Sequence, residues 1–340
     1  MTKRNVMWMK KMRAIQVGTG GFGQSWLHIL MQSNDIELVA IVDIDEKNIR
    51  DAKNLLGDHF IPDYRDHIRA FSEVEADIAV IITPPQTHKA LALAALEAGL
   101  YVFMEKPITQ NFHEAIELYN ESLPYHPFIM ISQNYRWRPE IETVREVVQR
   151  GDAGDIEYGE WNFRRATKFG GWRDKYSEIL VEDMSIHHFD LLRHILNKDA
   201  TSIYARSKRP SWSWFEGNAV AGALINFGED TLINYFGSWV TRGKETSWNG
   251  DFRLVGSHGI IELIDDIPYL TVEGKQRKEL PLVSLPYTDR AYSIYEMVQA
   301  IREKRKPVTH IEDNLKSFEI VGGALRSIKE SKEITLTQSN

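Results

Sequence analysis

The feature that most constrains the fold of this 340-residue chain is a glycine-rich turn between a strand pattern and a helix pattern. Residues 13–17 form an apolar-leaning run that predicts a buried strand, and helical periodicity begins at residue 26. A second predicted strand, residues 37–42, is followed at once by Asp43. Strand, glycine turn, helix, strand and acid in this order predict a βαβ unit that binds a dinucleotide. The turn itself comprises Gly18, Thr19, Gly20, Gly21, Phe22 and Gly23.

Each part of this pattern has a physical role in such a unit. Gly18 permits the tight turn, Gly20 lets the backbone approach a pyrophosphate, and Gly23 allows close packing of the helix. The first N–H groups of the helix face the phosphates, and Asp43 accepts hydrogen bonds from the adenosine ribose. Asp43 would repel a 2′-phosphate, and residues 44–46 offer no cation. We therefore expect NAD rather than NADP, with an empty, vestigial site as the alternative.

Strand and helix patterns continue to alternate through the first part of the chain. They predict a parallel, doubly wound α/β sheet, a Rossmann domain, over residues 1–135. Residues 1–12 are expected to form a leader that lacks the features of a secretory signal. Further strands are predicted at residues 76–82, 101–104 and 127–132, and helices at 45–57, 86–99 and 112–122.

The patterning changes in the second half, where Gly, Asp and Asn turns separate successive alternating stretches. Residues 136–340 are therefore expected to form an α+β domain with a large, mostly antiparallel open sheet. Helices are predicted at residues 138–151, 181–196, 290–304 and 311–330. Strands are predicted at residues 156–164, 201–206, 219–227, 231–239, 252–255, 260–264 and 269–273.

Composition excludes several classes of protein. Without a cysteine, the chain has no disulfide, zinc ribbon or catalytic thiol. The formal net charge of −7 and the lack of a basic stripe argue against nucleic-acid binding. No apolar run approaches the roughly 20 residues of a membrane span. These observations predict a cytoplasmic protein that binds neither nucleic acid nor membrane.

Two short segments fall at the carboxyl ends of predicted parallel strands, where such sheets bind ligands. They read Thr83-Pro84-Pro85-Gln86-Thr87-His88 and Met104-Glu105-Lys106-Pro107. Placed after the glycine turn, they resemble the glucose–fructose oxidoreductase/inositol dehydrogenase/rhizopine-catabolism (Gfo/Idh/MocA) family. The resemblance covers nearly the whole chain, and in the second half it rests on the layout and on Glu182-Asp183-Met184-Ser185-Ile186-His187. It implies an NAD(P)-dependent dehydrogenase or reductase that acts on CH–OH groups of a sugar, a sugar derivative or an inositol.

The resemblance also implies which residues form the site. Lys106 would lie beside the nicotinamide and the reacting hydroxyl group, and the Lys106–Pro107 bond is often cis in the family. Asn134 and Tyr135 belong to a segment similar to the family's crossover between domains. Catalysis is expected from Lys106, Asp183 and His187, and substrate binding from Lys106, Tyr135, Arg173, Asp183 and His187. Cofactor binding is expected from Gly18, Thr19, Gly20, Gly21, Phe22, Gly23, Asp43, Thr83, Pro84, Pro85, His88, Glu105, Lys106, Asn134 and Trp172.

The spacing of Asp183 and His187 supports a shared role. Four residues apart on a helix, they lie on one face and can meet a single ligand. His187 is the natural base for an alcohol proton because its ordinary pKa lies near neutrality, and Lys106 could share the transfer. A metal half-site with His188 or Glu182 is the alternative. Adjacent residues point to different helix faces, however, so no metal is expected.

Further expectations concern the rest of the second half. Residues 177–179 stand where family members usually carry a glycine pair, so the loop there is expected to differ in shape. Most tryptophans are expected in the core rather than stacked on a sugar, with Trp172 as the exception. The open sheet is expected to pair between subunits as a dimer or tetramer, and the two closing helices to pack back on the first domain. An NAD-dependent glycosidase and a non-catalytic NAD-binding sensor are the alternative functions.

Overall fold

The computed structural model describes residues 10–337, except for the side chain of Trp172. Most of the predicted leader and the side chain expected beside the cofactor at residue 172 therefore lie outside the described part. Contacts divide the chain into two compact units. The first runs to Ser132 and includes Arg290–Glu312, and the second comprises Gln133–Asp289 and the residues from Asp313 onward. The predicted domain bounds, 1–135 and 136–340, stay a prediction.

The first unit contains a six-stranded parallel sheet with the strand order β3-β2-β1-β4-β5-β6. Its strands are β1 (Met12–Val17), β2 (Ile36–Val42), β3 (Asp63–Tyr64), β4 (Ile78–Ile81), β5 (Tyr101–Met104) and β6 (Ile129–Ile131). Its first helices are α1 (Gly21–Gln32), α2 (Glu46–Leu56), α3 (His67–Glu73), α4 (His88–Glu97) and α5 (Phe112–Ser122). The predicted doubly wound parallel sheet is confirmed. β3 and α3 go beyond the predicted elements, because both are too short to show a clear periodicity.

The inner strands of this sheet are buried because helices cover a parallel sheet on both faces, whereas the short edge strand β3 is not buried. All four residues of β4 are buried. Trp26 of α1 packs edge-on against Phe103 of β5, with 5.2 Å between the ring centroids. Asp45 caps α2, since its carboxylate accepts a hydrogen bond from the N–H of Lys47. This packing of helices against the sheet holds the carboxyl ends of the strands in place.

The second unit contains a nine-stranded sheet with the strand order β14-β13-β12-β11-β7-β10-β9-β8-β15. Its strands are β7 (Ile156–Arg164), β8 (Ala200–Lys208), β9 (Val220–Phe227), β10 (Thr231–Ser238), β11 (Asp251–Gly256), β12 (Gly259–Ile264), β13 (Ile267–Val272), β14 (Lys278–Glu279) and β15 (Ile334–Thr335). The helices α6 (Pro139–Gln149) and α7 (Ile186–Leu196) belong to the same unit. β7 and β10 pair in parallel and the other neighbours are antiparallel, so the predicted mostly antiparallel sheet is confirmed.

The two faces of the nine-stranded sheet differ in character. One face buries the aromatic rings of Trp161, Phe163 and Tyr235. The opposite face exposes Tyr158 and Leu232, which are direct neighbours in the β7–β10 pair. Large apolar side chains thus occupy both faces, although only one of them forms the core of the unit.

The closing part of the chain contributes to both units. α8 (Asp289–Glu303) supplies Ile294, Met297 and Val298 to the hydrophobic core of the first unit. α9 (Ile311–Glu330) belongs to the second unit from Asp313 onward. Both helices begin and end within one residue of the predicted positions. Within residues 10–337, no helix is both long enough and apolar enough to cross a membrane.

The helix predicted over residues 181–196 differs from the structure in its first turn. Leu180–Ser185 forms a π-helical turn, and α7 begins at Ile186. The Ser185 hydroxyl donates a hydrogen bond to the carbonyl oxygen of Leu180, five residues earlier and 3.1 Å away. The predicted helix is therefore present, but its first turn is π-helical, which hydrophobic periodicity does not reveal because π turns are rare. Asp183 lies on the π turn and His187 in the first turn of α7.

Candidate active site

Two glycines of the turn after β1 are required by the protein itself. Gly18 has a φ of +94°, and a Cβ added there would lie 2.5 Å from the carbonyl oxygen of Ile82. A Cβ on Gly23 would lie 2.3 Å from the carbonyl oxygen of Gly18. The buried amide of Gln16 donates hydrogen bonds to the carbonyl oxygens of both glycines, each 2.8 Å away. Gln16 was not identified from the sequence, although a polar residue in a predicted buried strand could have indicated a structural hydrogen bond.

The other two glycines meet no such constraint from the protein. A Cβ on Gly20 would lie 3.5 Å from Nδ2 of Asn48, an ordinary contact, and one on Gly21 would meet nothing within 4 Å. Gly20 precedes α1 and supplies no side chain to cap it. The space beside these two residues and the first N–H groups of α1 therefore fit a pyrophosphate. Phe22, next in the turn, is about half exposed.

Asp43 is tied to the glycine turn by several hydrogen bonds. Its Oδ2 accepts from the N–H of Thr19 at 2.8 Å and from the Thr19 hydroxyl at 3.2 Å. Its Oδ1 accepts from the N–H of Asp45 at 2.9 Å and from Nδ2 of Asn48 at 3.2 Å. Thr19 is fully buried. The predicted residues Thr19 and Asp43 therefore lie together at the carboxyl ends of β1 and β2.

A cation also lies at this corner of the sheet. Residues 44–46 carry none of their own, but Arg65, which follows β3, reaches them. Its Nη1 donates to Oε1 of Glu46 at 2.7 Å, and its Nη2 donates to the carbonyl oxygen of Ile44 at 3.1 Å. The expectation drawn from the sequence concerned only residues 44–46 and did not include Arg65, because β3, which precedes Arg65, is too short to be recognised from the sequence.

The segment after β4 is held in place by a buried histidine. Pro85–Thr87 forms a 3-10 turn, and the hydroxyl group of Thr87 donates to Oγ1 of Thr83 at 2.8 Å. Nε2 of His88 lies 2.9 Å from the carbonyl oxygen of Thr83, and its Nδ1 lies 3.0 Å from that of Pro107. Burial lowers the pKa of His88. The buried side chain of His88 thus links the segment that follows β4 to the segment that follows β5.

Glu105 supports its neighbour Lys106 at the end of β5. Its buried carboxylate accepts from Nε1 of Trp26 at 2.9 Å and from the N–H of Lys106 at 3.1 Å. Burial raises the pKa of Glu105, and the charge of Lys106 opposes that rise. Lys106 itself is half-buried, and the Lys106–Pro107 peptide bond is cis. The sequence expectation for this bond is confirmed.

In the second unit, Tyr135 lies between two other side chains. Its ring stacks on that of His187, with 4.2 Å between centroids and 7° between planes. The guanidinium group of Arg138 also lies over the Tyr135 ring, 3.4 Å from the ring centroid. Arg138 in turn donates to Oδ2 of Asp289 at 3.0 Å and to Oδ1 of Asn249 at 2.7 Å. Arg138 was not predicted, because its partners lie more than a hundred residues away in sequence.

Asp183 and Arg173 belong to the same cluster. Nε of Arg173 lies 3.5 Å from Oδ1 of Asp183. Burial raises the pKa of Tyr135, Arg138 opposes the rise, and the charge of Asp183 adds to it. Burial and then the charges of Asp183 and Glu182 raise the pKa of Tyr176 to about 12. The predicted residues Tyr135, Arg173, Asp183 and His187 are thus brought together, joined by Tyr176 and Arg138.

His188 lies in a different environment from His187. It is fully buried, and its ring nitrogens lie 3.0 Å from the hydroxyl group of Tyr235 and 3.1 Å from the carbonyl oxygen of Trp248. Burial lowers the pKa of His188 to about 3. It therefore stays neutral and packs in the core. In the part of the chain that the structure describes, no group of three His, Asp or Glu side chains could hold a metal ion.

The remaining predicted positions flank this cluster. Asn134 donates a hydrogen bond from Nδ2 to Asp289, the residue that also accepts from Arg138. In the loop where the family usually carries glycines, Glu178 accepts from Nδ2 of Asn218 at 2.7 Å. The N–H of Glu178 donates to Oε2 of Glu182 at 2.9 Å. Side-chain hydrogen bonds thus shape this loop.

A separate cavity of about 510 Å³ lies in the first unit. Tyr101 and Ile129, which line it, are the first residues of β5 and β6. The cavity therefore opens at the amino ends of these strands, the edge opposite to Lys106 and the glycine turn. It is distinct from the residues predicted to bind the dinucleotide.

Comparison with known sequences identifies the family. The NAD-binding Rossmann-fold model of the Gfo/Idh/MocA oxidoreductases matches residues 12–122. The model of the family's C-terminal domain matches residues 141–262. This chain belongs to the Gfo/Idh/MocA oxidoreductase family. The glycine turn and the Lys106 segment lie within the residues matched by the first model, and the Asp183–His187 segment lies within those matched by the second.

Individual members of the family are distant from this chain. It is 24% identical to a D-apiose dehydrogenase of Paraburkholderia graminis, over 96% of this chain and 90% of that protein. It is 25% identical to a myo-inositol 2-dehydrogenase of Thermotoga maritima, over 57% of this chain and 58% of that protein. An Agrobacterium radiobacter oxidoreductase, solved with NAD+, L-tartaric acid and magnesium, has a TM-score of 0.88 at 22% identity, covering 96% of this chain and 99% of its own. That structure shares the fold.

Proposed function

We propose that this protein transfers a hydride between NAD and a secondary alcohol or ketone of a sugar, a sugar derivative or an inositol. The observation that carries the proposal is the cluster of Tyr135, Arg173, Asp183 and His187, which the ring stack and the ion pair hold together. An imidazole near a carboxylate, a guanidinium and a phenol offers the donors and acceptors that a polyhydroxylated molecule needs. Family membership supports the nicotinamide part of the reaction.

The first unit supplies most of the groups that would hold the dinucleotide. Gly20, Gly21 and the N-terminus of α1 leave room and N–H groups for the pyrophosphate. Asp43, held near Thr19, would accept from the ribose hydroxyls, which favours NAD over NADP. When bound, the nicotinamide supplies the hydride acceptor or donor. The other proposed cofactor-binding residues are Gly18, Phe22, Gly23, Thr83, Pro84, Pro85, His88, Glu105, Lys106, Asn134 and Trp172.

His187 is proposed to move the proton of the reacting hydroxyl group. In the oxidative direction its imidazole takes the proton from oxygen, and in the reductive direction it returns the proton. The stack on Tyr135 supports this role, because it fixes the plane of the ring. Asp183 would orient the imidazole or hold a neighbouring substrate hydroxyl. Lys106, whose backbone is anchored to Glu105, would hold the reacting oxygen and share the proton transfer.

The substrate class rests on the relatives. A D-apiose dehydrogenase matches nearly the whole chain, and a myo-inositol 2-dehydrogenase matches more than half of it. Both names describe polyhydroxylated substrates, one a sugar and the other a cyclitol. Arg173 and Asp183 support this class. A guanidinium group can donate hydrogen bonds to one hydroxyl group of the substrate while a carboxylate accepts from an adjacent one.

We also propose that copies of the chain associate through the outer face of the nine-stranded sheet. Tyr158, Leu232 and Phe236 stand on that face in β7 and β10, and Tyr204 and Leu224 are paired on it in β8 and β9. Each is at least 36% exposed, which is unusual for large apolar side chains grouped on one surface. The face suits a dimer or a tetramer. Location in the cytoplasm stays a prediction.

The direct test is absorbance at the NADH wavelength while the protein is mixed with NAD+ and a panel of sugars, sugar acids and inositols. Reduction of NAD+ by at least one of them is expected. A matching panel of ketoses and keto derivatives of inositols, mixed with NADH, would reveal the reverse reaction. Failure of every member in both directions, with NADH bound, would contradict the dehydrogenase and favour the sensor.

A parallel assay with aryl glycosides separates the remaining alternative. A glycosidase that oxidises its substrate transiently would release the aryl group without net NADH. We expect no such release, because the proposed reaction leaves the reduced cofactor as a product. Aryl release without NADH accumulation would replace the dehydrogenase by the glycosidase.

A further inference from the structure

The exposed corner where β2 ends carries Arg65 as well as Asp43. Arg65 donates from Nη2 to the carbonyl oxygen of Ile44, the residue directly after Asp43. This hydrogen bond holds the guanidinium group at the end of the strand whose acid would bind the ribose. A guanidinium is the group best suited to bind a phosphate, because it offers parallel N–H donors.

Glu46 forms an ion pair with the guanidinium group of Arg65. Its Oε1 accepts from Nη1 of Arg65 at 2.7 Å, and its Oε2 lies 3.9 Å from Nη1 of Arg50. The Arg65 and Glu46 side chains are 62% and 63% exposed. An ion pair this exposed is weak, so a ligand can compete with it. The carboxylate, however, also repels any anion that approaches Arg65.

Asp43 alone does not explain a preference for NAD. Both of its carboxylate oxygens already accept hydrogen bonds, from Thr19, Asp45 and Asn48. Its negative charge is therefore partly balanced by donors before any ligand arrives. Among residues 10–337, no backbone N–H donates to the carboxylate of Glu46, and its nearer cation, Arg65, also donates to the carbonyl oxygen of Ile44.

We propose that Glu46 sets the preference for NAD over NADP by holding Arg65 in an ion pair. A 2′-phosphate would extend from the ribose hydroxyl that Asp43 binds, toward the corner formed by Ile44 and Arg65. With Glu46 present it meets a neutralised cation and an extra carboxylate. Without Glu46 it meets a guanidinium whose Nη1 is released. The inference rests on the dinucleotide site of the proposed function.

The proposal can be tested without a substrate by measuring how tightly the full chain binds NADH and NADPH in a fluorescence titration. Glu46→Gln is expected to tighten NADPH binding about tenfold or more and to change NADH binding by less than about threefold. In the double variant Glu46→Gln/Arg65→Gln the gain is expected to disappear, because the cation is gone. An unchanged NADPH affinity in Glu46→Gln, or a gain that survives in the double variant, would overturn the proposal.

Asp51→Asn is the matched control. Asp51 lies on α2 as well, and its carboxylate pairs with Nζ of Lys47 at 2.9 Å rather than with Arg65. This variant removes the same charge from the same helix, so NADPH affinity should stay within about twofold of the wild type. An equal gain in Asp51→Asn would assign the effect to net charge and sink the role of Glu46. A wild-type protein that binds neither dinucleotide would refute the proposed function instead.

Discussion

At the scale of single residues, the chemistry depends on how neighbours fix each ionisable group. Lys106 is anchored through its own N–H to the buried carboxylate of Glu105. His187, buried to 7% exposure, stacks on Tyr135. Its neighbour His188 is fully buried, and burial lowers the pKa of His188 to about 3, so that His188 stays neutral.

Replacing Lys106 by methionine tests its role in the proposed reaction. The change keeps an unbranched side chain, one heavy atom shorter, and removes the ammonium group with its charge and its donors. We expect kcat to fall by about 10²–10⁴, the range of a lost proton-transfer or oxygen-binding group. NADH affinity, measured by fluorescence titration, should fall much less than kcat, because the other proposed cofactor-binding residues are unchanged and Glu105 still accepts from the backbone N–H of residue 106.

Lys89→Met is the control for this variant. Nζ of Lys89 pairs with Oε2 of Glu117 at 2.7 Å, in an ion pair between α4 and α5. Its loss should leave turnover within about twofold, because a surface ion pair contributes little. Full turnover by Lys106→Met would remove Lys106 from the mechanism.

At the scale of elements, the junction of β1 and α1 separates what the fold needs from what a ligand needs. Gly18 and Gly23 are required because added atoms would collide with backbone carbonyl groups. Gly20 and Gly21 have room for a side chain. The same glycine-rich segment therefore contains two residues that serve packing and two that leave space.

Single alanine substitutions distinguish these two classes. Gly23→Ala should lower the free energy of unfolding by about 1–3 kcal/mol, as expected for overpacking. Gly20→Ala should leave stability within about 1 kcal/mol but weaken NADH binding about tenfold or more, because its Cβ would occupy the space for the pyrophosphate. Thermal unfolding and NADH titration measure the two effects.

Gly21→Ala serves as the control for the fold. It lies in the first turn of α1 with open space around it, so stability should stay the same or rise by a few tenths of a kcal/mol. If Gly20→Ala bound NADH as the wild type does, the pyrophosphate would not pass beside this residue.

At the scale of the whole chain, buried charges join segments that are distant in sequence. Arg136 donates from Nη2 to Oδ1 of Asp190 at 2.6 Å and to Oδ2 of Asp313 at 2.9 Å. Arg193 donates to Oδ1 of Asp313 at 3.0 Å. Burial acts to raise the pKa of Asp313, but the two guanidinium groups lower it to about 2. The start of α9 is thereby fixed to α7 and to the segment before α6 within the second unit.

The lowered pKa of Asp313 makes stability depend on pH. The carboxyl group has an unfolded pKa of about 3.9, so its contribution is present above that value and is lost as the pH falls toward 2. Asp313→Asn should lower the free energy of unfolding above pH 5 by about 1–2 kcal/mol, discounted for partial exposure. The difference from the wild type should shrink as the pH drops from about 4 to about 2.

Urea unfolding between pH 2 and pH 7 measures this difference. Asp152→Asn is the control, because Asp152 forms an exposed ion pair with Arg150 at 2.8 Å. Its difference from the wild type should be small at every pH. A constant deficit of Asp313→Asn across the whole range would show that packing, rather than the charge, is what the residue contributes.

The outer face of the nine-stranded sheet leads to a prediction about assembly. Leu232→Glu places a carboxylate in the middle of the exposed apolar residues of β7 and β10. We expect it to lower the molar mass in solution, measured by light scattering after size exclusion, because a charge cannot be buried unpaired at an interface. Leu123→Glu, at a leucine 62% exposed in the first unit, should leave the mass unchanged. A wild-type monomer would contradict the association itself.

Sequence alone determined the features that local patterns encode. Buried strands alternating with helices predicted the parallel sheet, and the glycine turn followed by Asp43 predicted the dinucleotide site. These signals work because a strand, a turn and a helix adjacent in the chain have their own periodicity and backbone requirements. The Lys106 and Asp183–His187 segments were found through resemblance to a family.

Tertiary structure alone decided which distant side chains complete these features. Arg65 reaches Glu46 and Ile44 from 19 and 21 residues away, and Arg138 meets Asn249 and Asp289 more than a hundred residues on. The π turn before α7 likewise has no signal in the periodicity of its residues. Such contacts form because packed helices and strands bring loops together that are distant in the sequence. The pattern of residues along the chain does not show which loops will meet. The chain therefore specified its dinucleotide fold locally and the charges around that site only on folding.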